Sequence, residues 1–187
     1  MVYVIWFSAD LHLNHNKPFI YETRGFQNIY EMNEKIISNY NEVIQHDDTI
    51  YLLGDLCLGG TDYVKDNHKL LSQLKGHIHI IRGNHDTDNR IELYHNLYNI
   101  ESIEAAAFLR YNKYHFFLCH FPACTTNFDD DKRSLTQRTL CLAGHTHSKE
   151  LFEPCGSYNV SVDAHNCYPV PIEQIILDFE TRYKNAL

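Results

Sequence analysis

The sequence predicts a mixed α/β domain covering residues 1–187. Apolar strands and amphipathic helices alternate through the first half, an order that argues for a largely parallel sheet. The second half changes to a hairpin and shorter strands. Five of the strands run out into polar, ligand-bearing residues rather than into plain turns.

The opening run Val-Tyr-Val-Ile-Trp-Phe, residues 2–7, has the continuous β-branched and aromatic character of a strand covered on both faces. It leads into Asp10-Leu11-His12. Residues two apart on extended backbone point the same way, so this carboxylate and imidazole could share a divalent ion. The loop of residues 17–27 carries Arg24, read first as a solvated surface arginine and alternatively as one that reaches a phosphate. Residues 28–46 follow as a helix, with Asn28 and Glu31 at capping-box spacing and an apolar face of Met32, Ile36, Ile37, Tyr40, Val43 and Ile44.

Residues 48–53 form the second predicted strand, ending at Gly54-Asp55. A helix over 62–75 then turns Val64, Leu71 and Leu74 inward and stops at Gly76. The third strand, 77–81, breaks at a glycine and presents Asn84, His85 and Asp86 in a row. Glycine there allows a sharp bend or a close backbone approach, and strand C-termini are where open α/β sheets place their chemistry. A helix over 90–98 closes this half.

Residues 104–110 and 114–119 read as a hairpin turning at 111–113, whose second strand delivers His120. Residues 123–138 are polar, contain the acidic run Asp129-Asp130-Asp131, and form a surface excursion. Another strand, 139–143, ends in Gly144-His145-Thr146-His147, again with two imidazoles at i, i+2. A short strand over 158–162 precedes a helix opening at Pro171, with Ile172, Ile175, Ile176 and Phe179 on one face.

Composition narrows the function. Hydrophobic residues at 44% and aromatics at 13% are those of a globular chain, and 187 residues bury a core without staples. With 16 Lys and Arg against 24 Asp and Glu, the net charge of −8 argues against long nucleic acid as a partner. An acidic protein that handles phosphates needs positive charge supplied locally, and metal ions supply it. The six cysteines include no Cys-x-x-Cys pair, and the N-terminus has no secretory pattern, so they read as free thiols in a reducing cytoplasm. No apolar run reaches membrane-spanning length.

The strand ends together offer Asp10, His12, Asp55, Asn84, His120, His145 and His147, with His85 held back. These seven donors are too many for one tetrahedral ion. They suit two divalent ions sharing a carboxylate, and Asp55, alone on its strand, is the natural bridge. Without a thiolate, the set points to Mn²⁺, Fe or Zn²⁺, with Mn²⁺ favoured.

The ordered set Asp10-x-His12, Gly54-Asp55, Gly83-Asn84-His85-Asp86, His120 and Gly144-His145-Thr146-His147 resembles the calcineurin-like metallophosphoesterase superfamily, in particular its small bacterial and phage members. The resemblance implies a two-sheet β-sandwich flanked by helices with a dinuclear centre at one edge. It assigns Asp10, His12, Asp55 and His147 to one ion and Asp55, Asn84, His120 and His145 to the other. His85 then contacts the phosphate or protonates the leaving oxygen, with Asp86 orienting it, and His15 takes a supporting or substrate-contacting place.

After Asp55 the chain reads Leu56-Cys57-Leu58-Gly59-Gly60, without the arginine of the protein-phosphatase branch. The expected activity is hydrolysis of a small phosphoester by a metal-bridging hydroxide, with diesters favoured and a nucleotide or cyclic nucleotide as a substrate option. A nuclease and a non-catalytic scaffold are the alternatives.

Overall fold

The computed structural model describes residues 4–126 and 132–185. Residues 2 and 3 of the predicted first strand and the acidic run at 129–131 lie outside the described residues. Among the described residues, nine strands form two sheets. The first contains β1 (Ile5–Ser8), β2 (Thr49–Leu52), β3 (His77–Ile81), β4 (Ile100–Glu104) and β9 (Val170–Pro171), in the order β4-β3-β2-β1-β9. Its first four strands are parallel and β9 is antiparallel to β1. The second contains β5 (Ala106–Tyr111), β6 (Tyr114–Cys119), β7 (Thr139–Ala143) and β8 (Tyr158–Asn159), in chain order. There β5 and β6 are the antiparallel hairpin, and β6, β7 and β8 run parallel. This is the mixed α/β two-sheet arrangement with flanking helices.

The alternation of side chains sends the two faces of the first sheet into separate cores. Ile50, Leu52, Ile78 and Ile80 pack under helices α2 (Ile29–Val43), α3 (Tyr63–Leu71) and α4 (Asp88–His95). On the other face Phe7, Leu53 and Ile81 meet Phe116, Leu118, Leu140 and Leu142 of the second sheet, and α5 (Ile172–Asn185) adds Ile172, Ile175 and Phe179.

Several local expectations shift. Asn28 caps α2, accepting the N–H groups of Tyr30 and Glu31 at 3.0 Å, but Glu31 reaches back to the N–H of Gln27, one residue before the cap. Val64 is 60% exposed rather than inward. The buried face of α3 runs through Asn67 and Leu71, because Asn67 joins a side-chain amide network with Asn14 and Asn33. Strand β4, the short helix α1 (Pro18–Tyr21) and strand β9 lay unread in the sequence; β4 holds only Ile100 and Ile103 among Glu and Ser and is half-covered.

Candidate metal centre

Backbone pairing past the strand ends brings the polar segments together. The Asp10 N–H donates to the Gly54 carbonyl, His12 N–H to Asp55 and Leu13 N–H to Leu56, each at 3.0 Å, so the first two ligand loops continue the β1–β2 ladder. Gly144 N–H donates to the His120 carbonyl at 3.0 Å, joining β6 to β7, and Ala9 bridges Ser161 where the two sheets meet.

The side chains converge on one edge. Asn84 Oδ1 lies 2.9 Å from both His120 Nε2 and His145 Nδ1. Asp55 Oδ2 lies 3.6 Å from His120 Nε2, 3.7 Å from His12 Nε2 and 4.0 Å from His85 Nε2. Among the described residues two groups have metal-holding geometry, Asp10 with His12 and His147, and Asp10 with Asp55 and His120; within each, the donor atoms all lie within 4.8 Å of one another.

Asp10 Oδ1 and His12 Nε2 are buried with no hydrogen-bond partner. Buried polar atoms are normally paired, and a divalent cation between a carboxylate oxygen and an imidazole nitrogen satisfies both. The residues fit such a cation.

The way they converge differs from the extended backbone expected. Five of the seven predicted ligands, Asp10, His12, Asp55, His145 and His147, have φ between +49° and +76°. That left-handed region costs a non-glycine residue roughly 1–3 kcal/mol, and such strain concentrates at functional sites. Asp10 and His12 thus reach one side through left-handed turns, and the pleat of a strand plays no part.

Close approach explains two of the strand-end glycines. A Cβ on Gly83 would land on Asp55 Oδ1, and one on Gly144 would land on Asp10 Oδ2. Each glycine leaves room for a carboxylate from the neighbouring loop.

Burial sets the electrostatics. Desolvation pushes the Asp10 carboxyl up to about 6 against the pull of His120 and His147. It drives His12 well below the usual imidazole range and lowers His145, while burial and the neighbouring His85 bring His15 down to about 4. These rings are therefore neutral at pH 7, the form that can ligate a cation. His147 moves the other way because its ring nitrogen bonds the Asp163 carboxylate.

The structure places the remaining candidates variously. His85 is on the rim, its side chain 42% exposed and its N–H donated to Asp55 Oδ1 at 2.8 Å. His15 packs its Nδ1 3.1 Å from His12 Nδ1, and its ring centroid lies 6.1 Å from that of His85. Asp86 does not orient the His85 ring. Its carboxylate is buried and accepts the N–H groups of Asp55 and Gly83 and the Tyr94 hydroxyl, so it braces the turn from beneath.

Arg24 is neither a solvated surface residue nor a phosphate-reaching one. Its side chain is 2% exposed, and its donors go to Asp163, the carbonyls of Asp10 and Leu11 and the sulfur of Met32. Sequence reading missed Asp163. It follows the last short strand just as the ligands follow theirs, and that position was its one available signal.

The chain matches the family model of the calcineurin-like phosphoesterase superfamily domain over residues 5–161. It is 34% identical over 180 residues to the uncharacterized protein MJ1445 of Methanocaldococcus jannaschii, covering 92% of this chain and 89% of that one. It is 27% identical over 161 residues to the Gene 66 protein of Mycobacterium phage L5, covering 76% and 77% respectively. In fold it is similar to AQ665 of Aquifex aeolicus, a solved protein of unknown function, with a TM-score of 0.70 at 20% identity over 93% of this chain and 98% of that one. The strand-end motifs, their convergence and the match across most of the chain agree: this protein belongs to the calcineurin-like phosphoesterase superfamily.

Proposed function

We propose that the protein is a metal-dependent hydrolase of small phosphate esters, acting as one domain on phosphodiesters in preference to monoesters. The observation that carries the reading is the position of Asp55 Oδ2, 3.6 Å from His120 and 3.7 Å from His12. It is thus near one histidine of each proposed donor set, Asp10, His12 and His147 for one ion and Asn84, His120 and His145 for the other. Two divalent ions sharing Asp55, with Mn²⁺ favoured over Fe or Zn²⁺, would supply Lewis acidity at the phosphoryl oxygens and acidify the attacking water.

The protein's own groups do the rest. Asp55 is anchored through its N–H to Asp86 and through Oδ1 to the His85 N–H, which leaves Oδ2 free to point into the centre. His85, exposed at the rim, holds the proton passed to the leaving oxygen, a contribution typically worth about 10²–10⁴-fold. His15 contacts His12 and flanks the substrate's approach.

Preference for a diester is supported by two segments beside the site that supply no available guanidinium. Arg24 has spent its donors, and residues 56–60 contain no arginine, so the second charge of a monoester finds no partner from either segment. The net charge of −8 favours a small substrate, such as a nucleotide or cyclic nucleotide, over long nucleic acid. The cysteines, with no Cys-x-x-Cys pair among them, support a reducing, cytoplasmic setting; no helix among the described residues is long and apolar enough to cross a membrane.

The test is metal content of the purified protein together with turnover of bis(p-nitrophenyl) phosphate against p-nitrophenyl phosphate, with Mn²⁺, Fe²⁺ or Zn²⁺ added. Two ions per chain and faster diester turnover are expected. Metal bound with no turnover of either ester would favour a non-catalytic scaffold instead.

A further inference from the structure

We propose that the Arg24–Asp163 ion pair is a positioning clamp that holds Asp10 and His147 in register and so sets the occupancy of one of the two metal positions. The proposal rests on the dinuclear reading above. Arg24 sits on the loop after α1, Asp10 on the loop after β1, and Asp163 beyond β8. One guanidinium fastens all three. Nε donates to Asp163 Oδ1 at 2.9 Å, and Nη2 donates to Asp163 Oδ2 and to the Asp10 carbonyl, both at 2.8 Å. Nη1 donates to the Leu11 carbonyl at 3.2 Å.

Asp163 passes this order on. Its Oδ2 lies 2.9 Å from His147 Nδ1, which fixes the ring and leaves Nε2 for a cation. A carboxylate behind a ligating imidazole is a recurrent means of setting its tautomer and orientation. Asp10 and His147 also both have left-handed backbone, at φ +57° and +53°, which the surrounding contacts must over-determine. Arg24 bonds the carbonyl of the first directly, and reaches the second through Asp163 and by its own Nη2, 3.4 Å from His147 Nδ1.

The other donor set has different support. His120 is held by Nδ1 on the Leu53 carbonyl at 2.7 Å, and the turn carrying Asn84 is braced by Asp86. The clamp therefore acts chiefly on the Asp10–His12–His147 position, because His147 belongs to that group only and Asp10 is shared with Asp55 and His120. A fork is required, because a lysine ammonium cannot meet both carboxylate oxygens and two carbonyls at once.

The experiment is Mn²⁺ titration by calorimetry, with electron paramagnetic resonance of the loaded protein, on wild type, Arg24→Met, Asp163→Asn and the double variant Arg24→Met/Asp163→Asn. The double variant removes both charges of the pair and leaves neither buried alone, so it remains testable if a single variant fails to fold. The wild-type chain should bind two ions with a spin-coupled spectrum. Folded variants should bind one ion as before and the second about 10–100-fold more weakly, with the spectrum of an isolated Mn²⁺ ion. Arg24→Lys should restore only part of the second affinity.

Folded variants that keep both affinities, or lose both equally, would overturn the clamp while leaving the dinuclear reading intact. A wild-type chain that binds fewer than two ions would remove the dinuclear reading and the clamp with it.

Discussion

The buried carboxylate of Asp86 accepts the backbone N–H of Asp55 at 2.8 Å, tying the turn after β3 to the turn after β2. The same oxygen takes the Gly83 N–H at 2.8 Å and its twin takes the Tyr94 hydroxyl at 2.7 Å. Asp86 is thus a structural brace beneath the centre. Asp86→Asn replaces one of these acceptors by a donor. It is expected to cost about 2–4 kcal/mol, since hydrogen bonds to a charged group are worth roughly 1.5–3 kcal/mol each. Thermal unfolding should show Tm lower by on the order of 5–15 °C. An unchanged Tm with slowed turnover would return Asp86 to an orienting role on His85.

Asp55 and His85 separate by their effect on metal. Asp55→Asn should weaken both ions together and abolish turnover, because its Oδ2 faces both donor sets. His85→Asn should keep both ions and slow diester turnover by about 10²–10⁴-fold. Metal analysis beside steady-state kinetics decides each case. Two tightly held ions in Asp55→Asn would deny the bridge; loss of metal in His85→Asn would move that histidine among the ligands.

Gly144→Ala tests the close approach of two ligand loops. Its new Cβ would meet Asp10 Oδ2 and come within 2.6 Å of the Ala9 Cβ. Displacing that carboxylate should lower metal occupancy, and overpacking of this kind costs typically about 1–3 kcal/mol. Metal content of the folded variant is the measure. Full occupancy would mean the loops can part without consequence.

Metal affinity should fall in acid. Burial holds the Asp10 carboxyl near 6, and His147 also binds its proton more tightly than a free imidazole. A cation must displace those protons, so affinity drops by roughly tenfold per pH unit for each one below its pKa. For the metal-free chain the Asp10 contribution has the opposite sign, while the lowered His12, His15 and His145 favour the folded state as pH rises. The folded state holds the Asp10 proton more tightly than the unfolded state, so the Asp10 contribution to stability is present below pH 3.8 and is lost as pH rises through about 6. Melting curves with chelator and with Mn²⁺ between pH 4 and 8 should therefore diverge as pH rises. Parallel curves would contradict this.

The candidate donors were legible in the sequence because each follows a strand whose apolar run is unmistakable, and parallel strands deliver their C-terminal ends to one edge. The glycines at 54, 83 and 144 marked those ends. Periodicity also announced α2 and α5, whose apolar faces are continuous. Only the tertiary structure decided how the donors converge and what holds them. Left-handed backbone at Asp10, His12 and His145 is met by hydrogen bonds to neighbouring loops. The burial of Arg24 depends on Asp163, 139 positions away, and the bracing role of Asp86 depends on Asp55 and Tyr94. Strand-end chemistry is local and repeats along a chain, whereas the partners of a buried charge are chosen by packing, which brings distant segments within hydrogen-bond reach.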